Sequence, residues 1–194
     1  MTLGRFLGYN RRMMGGLLAA MMLGGCDAPV PKTVVEPRTI SGSYPRGEAL
    51  LKQAMLARHA AARAEVGEAP LLWDDALAAS AAVYATTLVS TGVFRHADQA
   101  QGEGREGEAL FRGTRGDYSY REMVDLWIAE KADFINGETP FFSKTGRGED
   151  VGHYTQIIWH STTHVGCALK SSPTDDYLVC RYSPPGNVVG ERAL

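Results

Sequence analysis

Gly152-His153-Tyr154-Thr155-Gln156-Ile157-Ile158-Trp159, followed by Val165-Gly166-Cys167-Ala168, is the stretch whose reading decides the fold. Gly152 frees the backbone just before His153. Residues 155–159 are rich in β-branched and aromatic side chains, which predicts a half-buried strand. Gly166 precedes a second short strand over residues 167–170. A histidine presented by a glycine turn at the mouth of a sheet is suited to ligate a metal or move a proton. The alternative is a histidine that merely caps the strand.

Working outward, residues 177–182 read as a third strand, reached through the polar turn 171–176. Upstream the periodicity changes to that of helices. Leu50, Ala54, Ala57 and Ala61 predict a helix over 46–65, ended by Val66-Gly67 and the break at Pro70. Asp74 or Asp75 can start a second helix, with Leu77, Ala81, Tyr84, Ala85 and Leu88 as its buried stripe and Gly92 just past its end. A third runs over 119–132, with Met123, Leu126, Trp127 and Glu130 on neighbouring turns. Residues 95–107 form a polar loop, after which Glu108-Ala109-Leu110-Phe111 resumes apolar order. Residues 134–150 are a long irregular stretch, of the kind usually tied to function. Three helices before three strands predict an α+β fold, with helices segregated from an antiparallel sheet.

The opening stretch, together with Cys180-Arg181-Tyr182-Ser183-Pro184-Pro185-Gly186-Asn187, resembles the two signatures of the CAP superfamily. Its members include cysteine-rich secretory proteins, wasp antigen 5 and plant pathogenesis-related protein 1, and the resemblance runs from about residue 50 to 191. It implies an α-β-α sandwich with a three-stranded antiparallel sheet between helical layers. It also implies a cleft lined by two histidines and two glutamates. The matching residues are His96 in Phe94-Arg95-His96, Glu108 in Gly107-Glu108-Ala109-Leu110, Glu130 in Trp127-Ile128-Ala129-Glu130, and His153. Two departures stand out. Ala109 replaces the usual asparagine after the first glutamate, which puts hydrogen bonding near the site in doubt, and the first helix reads His59-Ala60 where the family has His-Asn, with Arg63 kept.

The first 25 residues carry Arg5, Arg11 and Arg12, no acid, and a short apolar run, which predicts a secretory signal. Leu23-Gly24-Gly25-Cys26 then resembles a bacterial lipoprotein box, with Cys26 lipidated; the alternative is ordinary cleavage nearby. Residues 26–45, with four prolines, read as a tether, and residues 46–194 as the CAP (SCP) domain. Loss of the leader leaves 20 less three basic side chains against 22 acidic ones, a formal net charge of −5. Such a chain offers nothing to a nucleic-acid backbone and little to an anionic membrane, leaving the lipid as the anchor. With Cys26 assigned to lipid, Cys167 and Cys180 remain. In an oxidising compartment they read as a disulfide or as two buried thiols, and the family resemblance implies the disulfide.

Neutral imidazoles suit zinc or another divalent cation, carboxylates can orient them from behind, and two histidines leave coordination positions open. The structural alternative is a hydrogen-bond cluster that only holds loops to the sheet. His59 reads as a local packing or hydrogen-bonding residue, His160 and His164 as solvent-facing, and Trp73, Trp127 and Trp159 as core. No serine triad, HExxH or phosphate-binding glycine loop is present. The expected protein is a monomeric, exported, membrane-anchored binding module for a weakly held, exchangeable cation such as zinc, or for a small apolar or lipid-like ligand. The competing reading is a metal-assisted hydrolase that uses the same cleft.

Overall fold

The computed structural model describes residues 43–99 and 102–194. The expected leader (residues 1–25), Cys26 and the tether as far as residue 42 lie outside the described residues. The elements run α1 (Glu48–Glu65), β1 (Leu72–Trp73), α2 (Asp75–Thr91), β2 (Gly107–Thr114), α3 (Tyr120–Ala129), α4 (Gly152–Ile158), β3 (His164–Ser171) and β4 (Asp175–Ser183).

The helix ends follow from local chemistry. Asp74 Oδ1 accepts the free amides of Ala76 and Leu77 at 2.7 and 3.0 Å, and Gly92 closes α2 in the left-handed region at φ 68°. Ser119 and Glu122 form a reciprocal capping box at the start of α3, which runs on into a 3₁₀ turn, Glu130–Ala132. In α1 the buried face is Leu51, Met55, His59, Ala62 and Arg63, not the predicted Leu50, Ala54, Ala57, Ala61 stripe. Leu50 is exposed. The true face contains two polar residues, which a hydrophobic periodicity cannot nominate.

The four-stranded sheet has the order β1-β3-β4-β2. It corrects the expected three strands. β3, β4 and β2 pair antiparallel, and the two-residue β1 adds a parallel edge through Leu72↔His164 and Trp73↔Val165. β1 is too short to register as a periodic pattern. Residues 155–159 are also corrected: they are not strand, since 155–158 belong to helix α4 and Trp159 is its C-cap. Every residue from Tyr154 to Trp159 is buried, and the tertiary contacts of this segment override its β propensity. The third antiparallel strand is supplied by β2 instead.

Strand parity divides the interior. Leu110 of β2 and Tyr177 and Val179 of β4 pack with Ala81, Ala85 and Leu88 of α2. Their neighbours Ala109, Phe111, Leu178, Cys180 and Tyr182 point the other way, into the larger core under α1, α3 and α4. The result is an α-β-α sandwich with α2 alone on one face. Gly166 of β3 allows the closest approach of α2: a Cβ there would lie 2.2 Å from the Ala78 amide nitrogen. Cys167 and Cys180 are direct cross-strand partners and form a disulfide on the larger-core face.

One buried cation holds α4 in place. Arg63, 2% exposed, donates to the carbonyls of Ile157 (3.0 Å), Trp159 (2.9 Å) and Thr162 (3.2 Å), and to that of Ala69 at 2.5 Å. The Ile157 and Trp159 carbonyls lie at the C-terminus of α4, where a cation also meets the negative end of the helix dipole, and those of Thr162 and Ala69 tie in the segments beside it. Burial opposes the charged guanidinium, and Glu68, 3.6 Å away, offsets part of that cost. Arg63→Met should strand several buried carbonyls together and destabilise the domain by about 3 kcal/mol or more in urea unfolding, with α4 loosened first in hydrogen exchange.

His59 is fully buried between α1 and β4. Its Nδ1–H donates to the Met55 carbonyl at 2.7 Å, and its Nε2 accepts the Tyr182 hydroxyl at 2.9 Å. Burial, with a smaller contribution from Arg63, pulls its pKa down to about 4. The unfolded chain therefore binds a proton at about pH 6.5 that the folded chain refuses until about pH 4. Stability is unaffected by this group above pH 6.5, falls through that window, and has lost about 3 kcal/mol below it. Unfolding midpoints measured across the window should fall less steeply in His59→Gln than in the wild type.

Candidate functional site

The two signature segments are physically interlocked. Thr155 Oγ1 donates to Asn187 Oδ1 at 2.7 Å, and Asn187 Nδ2 donates to the Gly152 carbonyl at 2.9 Å. Asn187 sits at φ 55°, a conformation asparagine tolerates better than most residues. Gln156 accepts the Gly186 amide at 2.9 Å and donates to Thr162 Oγ1 at 3.2 Å. Gln156 fits only because both flanking residues are glycine. A Cβ on Gly107 would lie 2.2 Å from Gln156 Oε1, and one on Gly186 would lie 2.8 Å from Gln156 Nε2.

Above this floor opens a cleft of about 580 Å³, whose walls include His96, Glu106, Glu108, Phe142, Glu149, His153 and Gln156. The structure brings His96 and His153 to this one cleft from the two sides. His96 comes from the loop after α2 and His153 from the first turn of α4. Each ring is backed by a carboxylate. Glu108 Oε1 takes the Nδ1–H of His96 at 2.6 Å and the Ala97 amide at 3.0 Å. Glu130 Oε1 takes the Nδ1–H of His153 at 2.7 Å, while its Oε2 takes the amides of His153 and Tyr154 at 3.0 and 3.1 Å. A carboxylate can only accept, so Nδ1 carries a proton in both rings, and in the neutral imidazole Nε2 is then the nitrogen with the lone pair. No hydrogen bond from the described residues reaches either Nε2.

The two rings differ in exposure: His96 is 56% exposed and His153 25%. His153 stacks on Trp127, with ring centroids 5.5 Å apart and planes 12° apart. Trp127 is therefore core, at 3% exposure, and also the wall that fixes the His153 ring. Ala109 does not perturb this geometry. Its side chain lies in the larger core, on the sheet face opposite Glu108, so an amide there would not point at the Glu108–His96 pair. His160 is exposed, stacked beside the buried Trp159, and His164 is half-buried. Neither belongs to the cleft.

Sequence reasoning passed over Arg181, Glu106 and Gln156. Arg181 is buried, with Nη2 2.8 Å from Glu108 Oε2 and Nη1 3.5 Å from Glu106 Oε2. The Glu108 contact is electrostatic rather than a directed bond, because Glu108 Oε2 and Arg181 Nε make no hydrogen bond among the described residues. The signal for it is strand register: Glu108 and Arg181 are direct cross-strand partners, which appears only once β2 is recognised as a strand.

As a fit for a divalent cation, the donor set is two imidazole nitrogens oriented from behind. Among the described residues no group of three or more His, Cys, Asp and Glu side chains is arranged to hold a metal. A cation here would draw its remaining ligands from water or from a bound molecule.

The class these observations define is an α+β sandwich with two carboxylate-backed histidines in one open cleft. The model of the cysteine-rich secretory protein family, CAP, matches residues 56–182, and the chain belongs to that family. It is 36% identical over 141 residues to Pathogenesis-related protein 1C of Nicotiana tabacum, covering 72% of this chain and 79% of that protein. It is 35% identical over 135 residues to Pathogenesis-related protein PR-1 type of Sambucus nigra, covering 69% and 76%. Among solved structures, NaASP2 crystallised with Zn2+ superposes with a TM-score of 0.62 at 22% identity, over 76% of this chain and 85% of that one. Na-ASP-1 superposes with a TM-score of 0.60 at 18% identity, over 81% and 46%.

Proposed function

We propose that this CAP domain is a binding module of the cell envelope, exported and held at a membrane through lipid on Cys26. Its cleft takes an exchangeable divalent cation, zinc being the leading candidate, on His96 and His153. The observation that carries this reading is the pair of Nε2 lone pairs presented to one cleft, each fixed by a carboxylate on Nδ1. NaASP2, a fold neighbour, was crystallised with Zn2+, which agrees in kind. A bound cation would supply Lewis acidity and open coordination sites. The residues Glu108 and Glu130 hold the two rings, and Pro140, Phe142 and Pro185 give the cleft an apolar side for the body of a small or lipid-like ligand.

The hydrolase alternative draws less support. No serine, threonine, cysteine, lysine or tyrosine lines the cleft among the described residues, so hydrolysis there would depend on an activated water or on a carboxylate or imidazole as nucleophile. Calorimetry with zinc chloride should give one weak site on the wild type and none on His96→Ala/His153→Ala, with unchanged folding. Binding should weaken as the solution is acidified, because a ligating imidazole nitrogen must be unprotonated. Equal affinity in both proteins would move any metal elsewhere.

The anchor is tested separately. Intact mass of the protein extracted from membranes should show an acylated N-terminus at Cys26, and Cys26→Ser should move the domain to the soluble fraction. An unmodified Cys26 on a product cleaved elsewhere would overturn the anchor without touching the cleft.

A further inference from the structure

The two halves of the cleft are built on different physics. Glu130 is held by two main-chain amides and pairs with no lysine or arginine among the described residues. The His96 half has no such backbone cradle around its second carboxylate oxygen. Instead Glu108, only 5% exposed, faces Arg181, also 5% exposed, directly across β2 and β4.

Arg181 itself is tightly located. It lies on the α2 face of the sheet, in register after Tyr177 and Val179. Its guanidinium sits 5.2 Å from the centre of the Tyr84 ring. Glu106, its second anionic contact, is in turn gripped by Ser80 Oγ at 2.6 Å. Ser80 and Tyr84 are four residues apart, and so on one face of α2. The Tyr84 hydroxyl also donates to the Arg95 carbonyl at 2.6 Å, one residue before His96. One helix face thus holds both the backbone that carries His96 and the cation behind its carboxylate.

We propose that Arg181 is the positioning residue for the His96 half of the cleft, holding Glu108 in place and thereby setting the tautomer and aim of the His96 ring. The inference rests on the reading of His96 as a cleft ligand only for its consequence in binding. Its structural content stands in the metal-free protein. Without the guanidinium, Glu108, only 5% exposed, would lose the cation facing its second oxygen while Glu106 adds a like charge nearby, and Glu108 would not keep its place. His96 Nδ1–H would lose its acceptor. His153, held by backbone and by Trp127, would not change.

The test is long-range 15N–1H NMR of the histidine rings in metal-free, 15N-labelled protein at alkaline pH. The wild type should show His96 and His153 both protonated on Nδ1. In Arg181→Met, His96 should redistribute toward the Nε2–H tautomer while His153 stays as it was. Arg181→Lys keeps a buried cation and should largely restore the wild-type His96 signal, which a purely steric role would not do. Should Arg181→Met fail to fold, Arg181→Gln, which keeps a polar side chain at the site but removes the charge, should shift His96 in the same direction with His153 unmoved. An unchanged His96 tautomer in a folded Arg181→Met or Arg181→Gln protein overturns the proposal, as does an equal shift of both rings. Zinc calorimetry on the same proteins separates the two claims. Loss of an orienting partner should weaken zinc binding by about tenfold or more in Arg181→Met. A wild type that binds no zinc but shows the His96 shift refutes the cation and leaves the positioning role standing.

Discussion

A single buried guanidinium carries the architecture of this domain. Arg63 reaches from α1 to the Ile157 and Trp159 carbonyls at the C-terminal end of α4 and to the Thr162 carbonyl just beyond it. A seven-residue helix has too few internal bonds to stand alone, so its existence depends on this external cap and on burial all round. His153 sits in the first turn of that helix, and Gln156 below it forms the floor of the cleft. The position of one side of the site therefore follows from a charge buried well beneath it.

The sheet does the rest by parity. Because alternate residues of β2 and β4 face opposite layers, the same strands serve two purposes. Ala109, Cys180 and Tyr182 build the larger apolar core, while Glu108 and Arg181 pair on the other face beside α2. A shift of one residue in register would place the carboxylate in the apolar core and the core residues against α2. The cross-strand disulfide between Cys167 and Cys180 closes β3 onto β4 in the register that keeps these roles apart.

The cleft, then, is an assembly of loops fastened to a rigid frame. The loop before β2 brings His96, the turn after β4 brings Gly186 and Asn187, and the hydrogen bonds between Asn187, Thr155 and Gly152 lock the last of these onto α4. Glycine at 107 and 186 is required by contact with the Gln156 side chain rather than by backbone conformation. Of the altered His59-Ala60 pair, His59 lies in the core, where it bridges the Met55 carbonyl and the Tyr182 hydroxyl, far in role from the chemistry of the cleft.

The sequence by itself indicated an α+β domain, its three long helices, the Asp74 start and Gly92 end of α2, and the strands β3 and β4, and its resemblance to the CAP signatures pointed to His96, Glu108, Glu130 and His153. These are legible because capping, periodicity and motif spacing are local properties of the chain. Tertiary structure decided what locality cannot express. Residues 155–158 became helix because Arg63 and the surrounding core reward that shape over the extended one their β-branched side chains prefer. The edge strand β1, the polar centre of the α1 face and the pairing of Glu108 with Arg181 all depend on partners distant in the chain. Which imidazole nitrogen faces the cleft is likewise set by carboxylates 12 and 23 residues away, so the chemistry of the site exists only once the chain has folded around it.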